Sequence, residues 1–405
     1  MENSLLSGGA ERFPLVQSVK VALLLSAVNF LLTFAFALND SFFSVLFGDI
    51  TGRGLFLGFA FIFYSLSKLV CCPFAGKLLN RYGESSILTF ALGVCLFASF
   101  LLGTADNVYV LFIARAAQGA GCVLLRPVMY AMIGKNTRGG SVGRVSGFVE
   151  MSFYAALAAG PVTGGYVMEQ YGAGQVKNIV MFCTFCAFLL SLFTGRVENN
   201  KDISGQSAEP DVPLRTSFVF KGLLVYIFFK AWAISTLTVY FPVMMLDKGY
   251  DVRVIGLMLS TVSFVTALFF IVTGYLADRL NRRKIIILCG LLSAVTMMVL
   301  PFAGSRTDVL VLLVFSGLFS GLSQPAGTSL LIEHALGGDK GSVLSLFNMV
   351  MTFGFICAPF VNSVTGSLFG IKTVFISAGI LSLLSVVYFC CISFNMSFVF
   401  SFKHR

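Results

Sequence analysis

Twelve runs of about twenty apolar residues, separated by short polar connections, dominate the chain. They fall near 18–38, 55–78, 87–104, 108–133, 143–167, 178–195, 218–245, 254–277, 285–304, 309–335, 341–366 and 372–394. A helix rises ~1.5 Å per residue, so each run can cross the ~30 Å hydrocarbon core of a bilayer. Over 405 residues, 57% are apolar and 11% charged, whereas a soluble domain carries about 25% charged residues. That much apolar surface cannot be hidden inside one water-soluble core. Twelve spans would occupy about 240 residues and leave no room for a large soluble domain. The expected fold is an all-α membrane protein of twelve transmembrane helices, with the lipid bilayer as its surroundings.

The same architecture accounts for the net charge of +10. In a soluble protein it would suggest nucleic acid; here the positive-inside rule explains it, and no nucleic-acid partner is expected. Of the 28 Lys and Arg, four lie deep within the runs; counting those near run ends with the adjoining loops, and with the N-terminus inside, eighteen lie on the cytoplasmic side and six outside. Both termini are therefore expected in the cytoplasm, in a multi-pass protein of the inner or plasma membrane. The densest clusters are Asn281-Arg282-Arg283-Lys284 and Lys135, Arg138 and Arg144. Glu2, Glu11 and Arg12 precede the first run, which is not the layout of a cleavable signal. Nearly all ten Cys lie in apolar runs. Cys183 and Cys186 have CxxC spacing but no second pair and no nearby His, so they read as small packing residues rather than metal ligands or redox groups.

The longest connection, 196–217, is polar and rich in Ser, Asn, Asp and Pro. It reads as a flexible cytoplasmic linker between an N-terminal six-helix half, 1–195, and a C-terminal half, 218–405. The halves resemble each other at a constant offset of 198 residues. Gly76 meets Gly274, Arg81 meets Arg279, and Gly119 meets Gly317. Arg126-Pro127 meets Gln324-Pro325, Gly160-Pro161 meets Ala358-Pro359, and Gly172 meets Gly370. Most of these residues shape a helix or a turn, so backbone geometry is what repeats. Two repeats in the same orientation imply a pseudo-two-fold axis along the membrane normal and a binding site near the midplane between halves.

These residues resemble the signatures of the major facilitator superfamily. The segment Gly76-Lys77-Leu78-Leu79-Asn80-Arg81-Tyr82-Gly83-Glu84 is similar to that family's loop 2–3 motif. A second copy runs from Gly274 through Asp278 and Arg279 to Lys284. With the spans and the linker, the resemblance covers essentially the whole chain. It implies a latch: Gly lets helices approach, and an Asp-Arg pair binds a facing helix end when the cytoplasmic side closes. The first copy departs from the pattern, with Asn80 for the usual Asp and Glu84 where a basic residue is expected. The plainer reading is that such short basic loops only fix topology. Run 4 carries Arg115-Ala116-Ala117-Gln118-Gly119-Ala120-Gly121, similar to the family's span-4 motif, whose Arg the resemblance associates with proton coupling. Run 5 carries Gly147 and then Gly160-Pro161-Val162-Thr163-Gly164-Gly165. This resembles the antiporter signature of drug exporters, with Ala156 where that signature has Gly, and implies a bent, tightly packed helix.

Charges within a bilayer cost several kcal/mol unless paired or wet, so each one is a candidate functional group. Lys68, Arg115, Arg126, Glu150 and Lys230 all fall inside runs. Lys68 and Lys230 lie about 20 Å along their helices, too deep to snorkel. Arg126 and Glu150 sit on consecutive runs at about 14 and 9 Å from the cytoplasmic ends, so they can pair. Such a pair either fixes packing or makes Glu150 a titratable group for which proton and substrate compete. Asp40 reads as an exposed loop carboxylate or as a proton acceptor, and Asn29, mid-run, as a substrate hydrogen-bond partner. Four embedded cations against one embedded carboxylate point to an anionic or zwitterionic organic substrate.

The expected activity is secondary active transport by a monomer without cofactor or metal, driven by an ion gradient and most simply by protons. Export by proton antiport leads, and import by proton symport of a similar anion is the alternative. A transport-like receptor would be expected to carry a large soluble appendage. An intramembrane enzyme would need a metal cluster or a nucleophile–base pair, and neither an HExxH motif nor a pair of intramembrane His occurs in the sequence.

Overall fold

The computed structural model describes residues 3–52, 55–136, 142–196, 215–276, 281–333, 335–336 and 340–402. Within these ranges, side chains are not described at 3–18, 55, 76–77, 80, 142–144, 146, 196, 215–216, 270–276, 328, 332, 335–336, 340–345 and 394–402. Twelve long helices follow one another. They are α1 Asn3–Ser41, α2 Leu55–Tyr82, α3 Glu84–Gly103, α4 Val108–Asn136, α5 Val142–Tyr171 and α6 Ala173–Ser191. After the connection come α7 Phe218–Asp247, α8 Val252–Leu276, α9 Arg282–Val299, α10 Arg306–Glu333, α11 Lys340–Phe369 and α12 Ile371–Phe402. One-turn helices at Phe43–Leu46 and Gly48–Thr51 join α1 to α2. A two-residue antiparallel pair sets Arg215 opposite Leu336 and Thr216 opposite Ala335.

Among the described residues, eleven helices are long and apolar enough to cross a membrane, and α5 is the long helix outside that set. It has 30 residues, about 45 Å at the helical rise. It carries Glu150, Ser152, Tyr154, Thr163 and repeated Gly, and it is the helix with the antiporter-like segment.

Two compact units form, Met1–Asp40 with Phe63–Ile203, and Ser41–Ile62 with Ser204–Arg405. In the first, Leu25, Val28 and Leu32 of α1 meet Leu88, Leu92 and Cys95 of α3 and Leu124, Val128 and Met132 of α4. In the second, Phe220, Leu223 and Ile227 of α7 pack with Ile286 of α9, Ala326 and Leu330 of α10, and Phe389 of α12. The segment Ser41–Ile62 belongs to the second unit because Gly58 lies against α11. A Cβ at Gly58 would stand 2.8 Å from the Pro359 carbonyl oxygen.

The 198-residue repeat is visible as equivalent contacts. In the first unit Gly119 presses α4 onto α2 so closely that a Cβ would collide with the Tyr64 carbonyl. In the second, a Cβ on Gly317 would lie 2.7 Å from the Val262 carbonyl of α8, the position 198 residues after Tyr64. Gly172 and Gly370, which immediately precede α6 and α12, have φ of 80° and 85°, a left-handed turn that glycine adopts without strain.

The most specific equivalence is an ion pair with its signs exchanged. Lys135 Nζ at the end of α4 stands 2.6 Å from Glu84 Oε1 at the start of α3. In the second unit, Arg282 Nη1 at the start of α9 stands 3.1 Å from Glu333 Oε2 at the end of α10. Adding 198 to Glu84 and Lys135 gives Arg282 and Glu333. Each pair ties the start of one helix to the end of the next, and the charges have traded places. The departure at Glu84 from the loop motif thus has a local cause, since its carboxylate is the partner of Lys135.

Glu84 is nearly buried (side chain 6% exposed) while Lys135 is 41% exposed, so breaking this pair should cost about 1–2 kcal/mol. Glu84→Lys should lower the thermal stability of the purified protein, and the exchange Glu84→Lys with Lys135→Glu should recover most of the loss. Equal melting of the single and double variants would show that the pair contributes nothing. The more exposed Arg282–Glu333 pair should contribute less than ~1 kcal/mol.

Candidate functional site

The embedded charges form two clusters in the first unit and one isolated cation in the second. Close approach at Gly119 builds the first cluster by bringing α2 beside α4. Arg115 of α4 is fully buried, and its Nη1 lies 2.6 Å from Asp40 Oδ1 at the end of α1. The same nitrogen donates to Gln118 Oε1, one turn along α4, at 2.7 Å. Asn39 Nδ2 donates to Asp40 Oδ1 at 3.1 Å. Both Arg115 and Lys68 stand over the Tyr64 ring at 5.3 Å from its centroid. The ring's negative face lets two cations approach it, each gaining about 0.5–2 kcal/mol.

Asp40 is therefore not a loop carboxylate. It lies in the last turn of α1, 24% exposed at its side chain, and held by a buried guanidinium. The charge count changes with it. Two embedded carboxylates face four cations, an excess of two in place of the three expected from the runs alone. The end of α1 is fixed by α5, because a Cβ on Gly160 would lie 2.6 Å from Ala37 Cβ and 3.0 Å from the Leu38 nitrogen. Pro161 lies inside α5, with Gly164 and Gly165 buried beside it. The small residues of this segment thus bring α5 close enough to position Asp40.

The second cluster joins α4 to α5. Arg126 Nη2 lies 3.8 Å from Glu150 Oε2, with side chains 54% and 28% exposed. The guanidinium stands over the Phe153 ring at 4.5 Å, and the Tyr130 hydroxyl donates to Glu150 Oε1. Asn29 does not offer a free amide. Its Nδ2 donates to the Val149 carbonyl at 3.0 Å and to Ser152 Oγ at 3.1 Å, which tethers α1 to α5 and makes it a positioning residue in this structure.

In the second unit Lys230 Nζ donates to Ser323 Oγ at 2.8 Å. Among the described residues, no carboxylate lies within 4.0 Å of Lys68 or Lys230. Arg81 is exposed and stands over the Tyr82 ring at 5.3 Å, and Gly83 makes the turn into α3 with φ of 77°. Gly76, Asn80, Gly274, Asp278 and Arg279 fall where side chains or whole residues lie outside the described set. Among the described residues no three His, Cys, Asp or Glu converge as metal ligands.

Tyr130 and Tyr154 carried a signal in their spacing: Tyr64–Lys68, Arg126–Tyr130 and Glu150–Tyr154 are aromatic–charge pairs at i, i+4, which face one another on a helix. Phe153 had none, because the cation over its ring is Arg126 of α4.

Removing one member of a buried ion pair leaves an uncompensated charge. Arg115→Ala should destabilise the protein by about 3 kcal/mol, read as thermal melting of purified protein. Arg115→Gln with Asp40→Asn should be closer to wild type than Arg115→Ala alone. Additive losses in that double-mutant cycle would show that the two side chains are not coupled.

Comparison with known proteins follows the same outline. A family model described as the Major Facilitator Superfamily matches residues 25–253 and 223–397. The chain is 28% identical over 341 residues to the uncharacterized MFS-type transporter YuxJ of Bacillus subtilis, covering 78% of this chain and 83% of that protein. It is 24% identical over 342 residues to the multidrug resistance protein MdtG of Citrobacter koseri, covering 81% of each. The crystal structure of a D-xylose-proton symporter superposes with a TM-score of 0.74 at 15% identity, covering 92% of this chain and 97% of that one.

Proposed function

The chain belongs to the major facilitator superfamily and is a multi-pass membrane transporter, not an enzyme; from that premise we propose that it exports a small organic compound in exchange for protons. The proposed substrate is anionic or zwitterionic, and the cycle is alternating access by a monomer with both termini in the cytoplasm. The energy source is an ion gradient, without a bound cofactor. Similarity to proteins named for multidrug resistance favours efflux, as does the antiporter-like segment of α5.

One observation carries the coupling. Asp40 is a partly exposed carboxylate held 2.6 Å from a fully buried guanidinium. Water can bring a proton to Asp40, but Arg115 cannot leave. Protonation removes the attraction between them and frees the end of α1 from α4. Gln118 and Tyr64 hold Arg115 in place. Import by proton symport is the second reading, since the fold is shared with a protein titled a proton symporter and fold alone does not set direction.

The test is purified protein in liposomes with an imposed pH gradient, an internal pH dye and a panel of organic anions, zwitterions and cations. Substrate-dependent proton movement opposite to substrate movement is expected. Asp40→Asn should abolish the proton signal while tracer exchange of the substrate persists. Unchanged proton movement in that variant would remove Asp40 from the coupling role. Movement in the same direction would establish symport, and a requirement for sodium would replace the proton.

A further inference from the structure

We propose that Arg126 and Glu150, with Phe153 under the guanidinium, Tyr130 on the carboxylate and Tyr154 against Phe153, form a recognition site for an aromatic zwitterion whose ammonium and carboxylate lie a few ångströms apart. The proposal rests on the transporter reading above and names the substrate class for this site.

The cluster is built differently from the Asp40–Arg115 pair. That pair is closed at 2.6 Å around a fully buried guanidinium. Arg126 and Glu150 are 3.8 Å apart and half and a quarter exposed, beyond hydrogen-bond distance. A guanidinium and a carboxylate with this exposure cannot face acyl chains without a cost of several kcal/mol, so their open side faces water. An open pair of opposite charges suits a ligand with the opposite sense of polarity, its carboxylate on Arg126 and its ammonium on Glu150. A plain anion would meet repulsion from Glu150, and a plain cation repulsion from Arg126.

Both ends are pre-positioned. Arg126 lies over the Phe153 face at 4.5 Å, which fixes the plane of its donors, and Tyr130 holds Glu150 Oε1, leaving Oε2 toward Arg126. Phe153 and Tyr154 meet edge-to-face with centroids 5.4 Å apart, which offers a ligand ring the same kind of contact.

The internal repeat supplies an independent argument. At the offset of 198, Arg126 becomes Gln324 and Glu150 becomes Asn348. Tyr130, Phe153 and Tyr154 become Thr328, Met351 and Thr352. Helices α10 and α11 still pack, so this helix junction needs neither the charges nor the aromatics. What the first unit adds at the same place is a set of groups fit for a ligand.

The probes are tritiated L-tryptophan, N-acetyl-L-tryptophan and tryptamine, a zwitterion, an anion and a cation on one ring. Each is measured by scintillation proximity on the full-length protein in nanodiscs. L-tryptophan should bind at least tenfold more tightly than either singly charged probe. Arg126→Gln should weaken tryptophan at least tenfold while improving tryptamine, and Glu150→Gln should weaken tryptophan while improving the N-acetyl compound. A role confined to packing would not produce that crossover. If either variant melts below wild type, the exchange Arg126→Glu with Glu150→Arg takes its place and should still prefer tryptophan. Equal binding of the three probes, binding of none, or tryptophan affinity unchanged in the variants would overturn the proposal. Proton flux driven by the wider panel separates the two readings. Flux without tryptophan binding defeats this site alone; tryptophan binding without flux from any compound defeats proton exchange and leaves the site.

Discussion

The rest of the molecule is arranged around the cost of a charge inside hydrocarbon. A chain this apolar needs no polar group to fold, yet it carries two carboxylates and four cations at depth, and each must be paired, stacked or wet. The pairing is done by helices that approach unusually closely. Gly119 brings α2 onto α4, which sets Tyr64 beneath Arg115 and Lys68. Gly160 brings α5 onto α1, which fixes the turn that carries Asp40. Lipid gives no hydrophobic drive between helices, so small residues at the crossings give close packing, and the ion pairs add to it.

Duplication copied the packing but not the chemistry. Gly119 and Gly317 press on equivalent carbonyls, and Gly172 and Gly370 make the same turn. Against that shared frame, Lys68, Arg115, Arg126 and Glu150 correspond to Thr266, Leu313, Gln324 and Asn348. Both embedded ion pairs therefore lie in the first unit, and the second has Lys230 bound to Ser323. Outside the spans the reverse holds. The Glu84–Lys135 and Arg282–Glu333 pairs keep the contact and exchange the signs. A staple needs opposite charges and not a particular order of them.

Legibility in the sequence followed the same division. Spans and repeat could be read because apolar length and glycine position each act locally. Arg126 with Glu150 could be read too, since depth along consecutive helices nearly determines that they meet. Asp40 could not, because its partner is 75 residues away and the meeting depends on two helix crossings set by Gly119 and Gly160. Asn29 shows the opposite error. A lone amide in a span looks like a ligand group until the rotation of α1 is known, and that rotation puts it on Val149 and Ser152.

The separation of the two ion pairs constrains any coupling mechanism. Arg115 and Arg126 are eleven residues apart on one helix, about 16 Å along its axis. In the proposed exchange, a proton on Asp40 and a ligand on Glu150 would therefore not compete for one carboxylate, and coupling would pass through the helices between them. Helix α5 touches the Asp40 turn through Gly160 and also carries Glu150, while Asn29 of α1 holds α5 one residue before Glu150. Loosening α1 from α4 at Asp40 thus acts on the helix that positions Glu150. On the proposed reading both carboxylates are tied to the α1–α5 contact, so neutralising one would change the geometry of the other without a shared site.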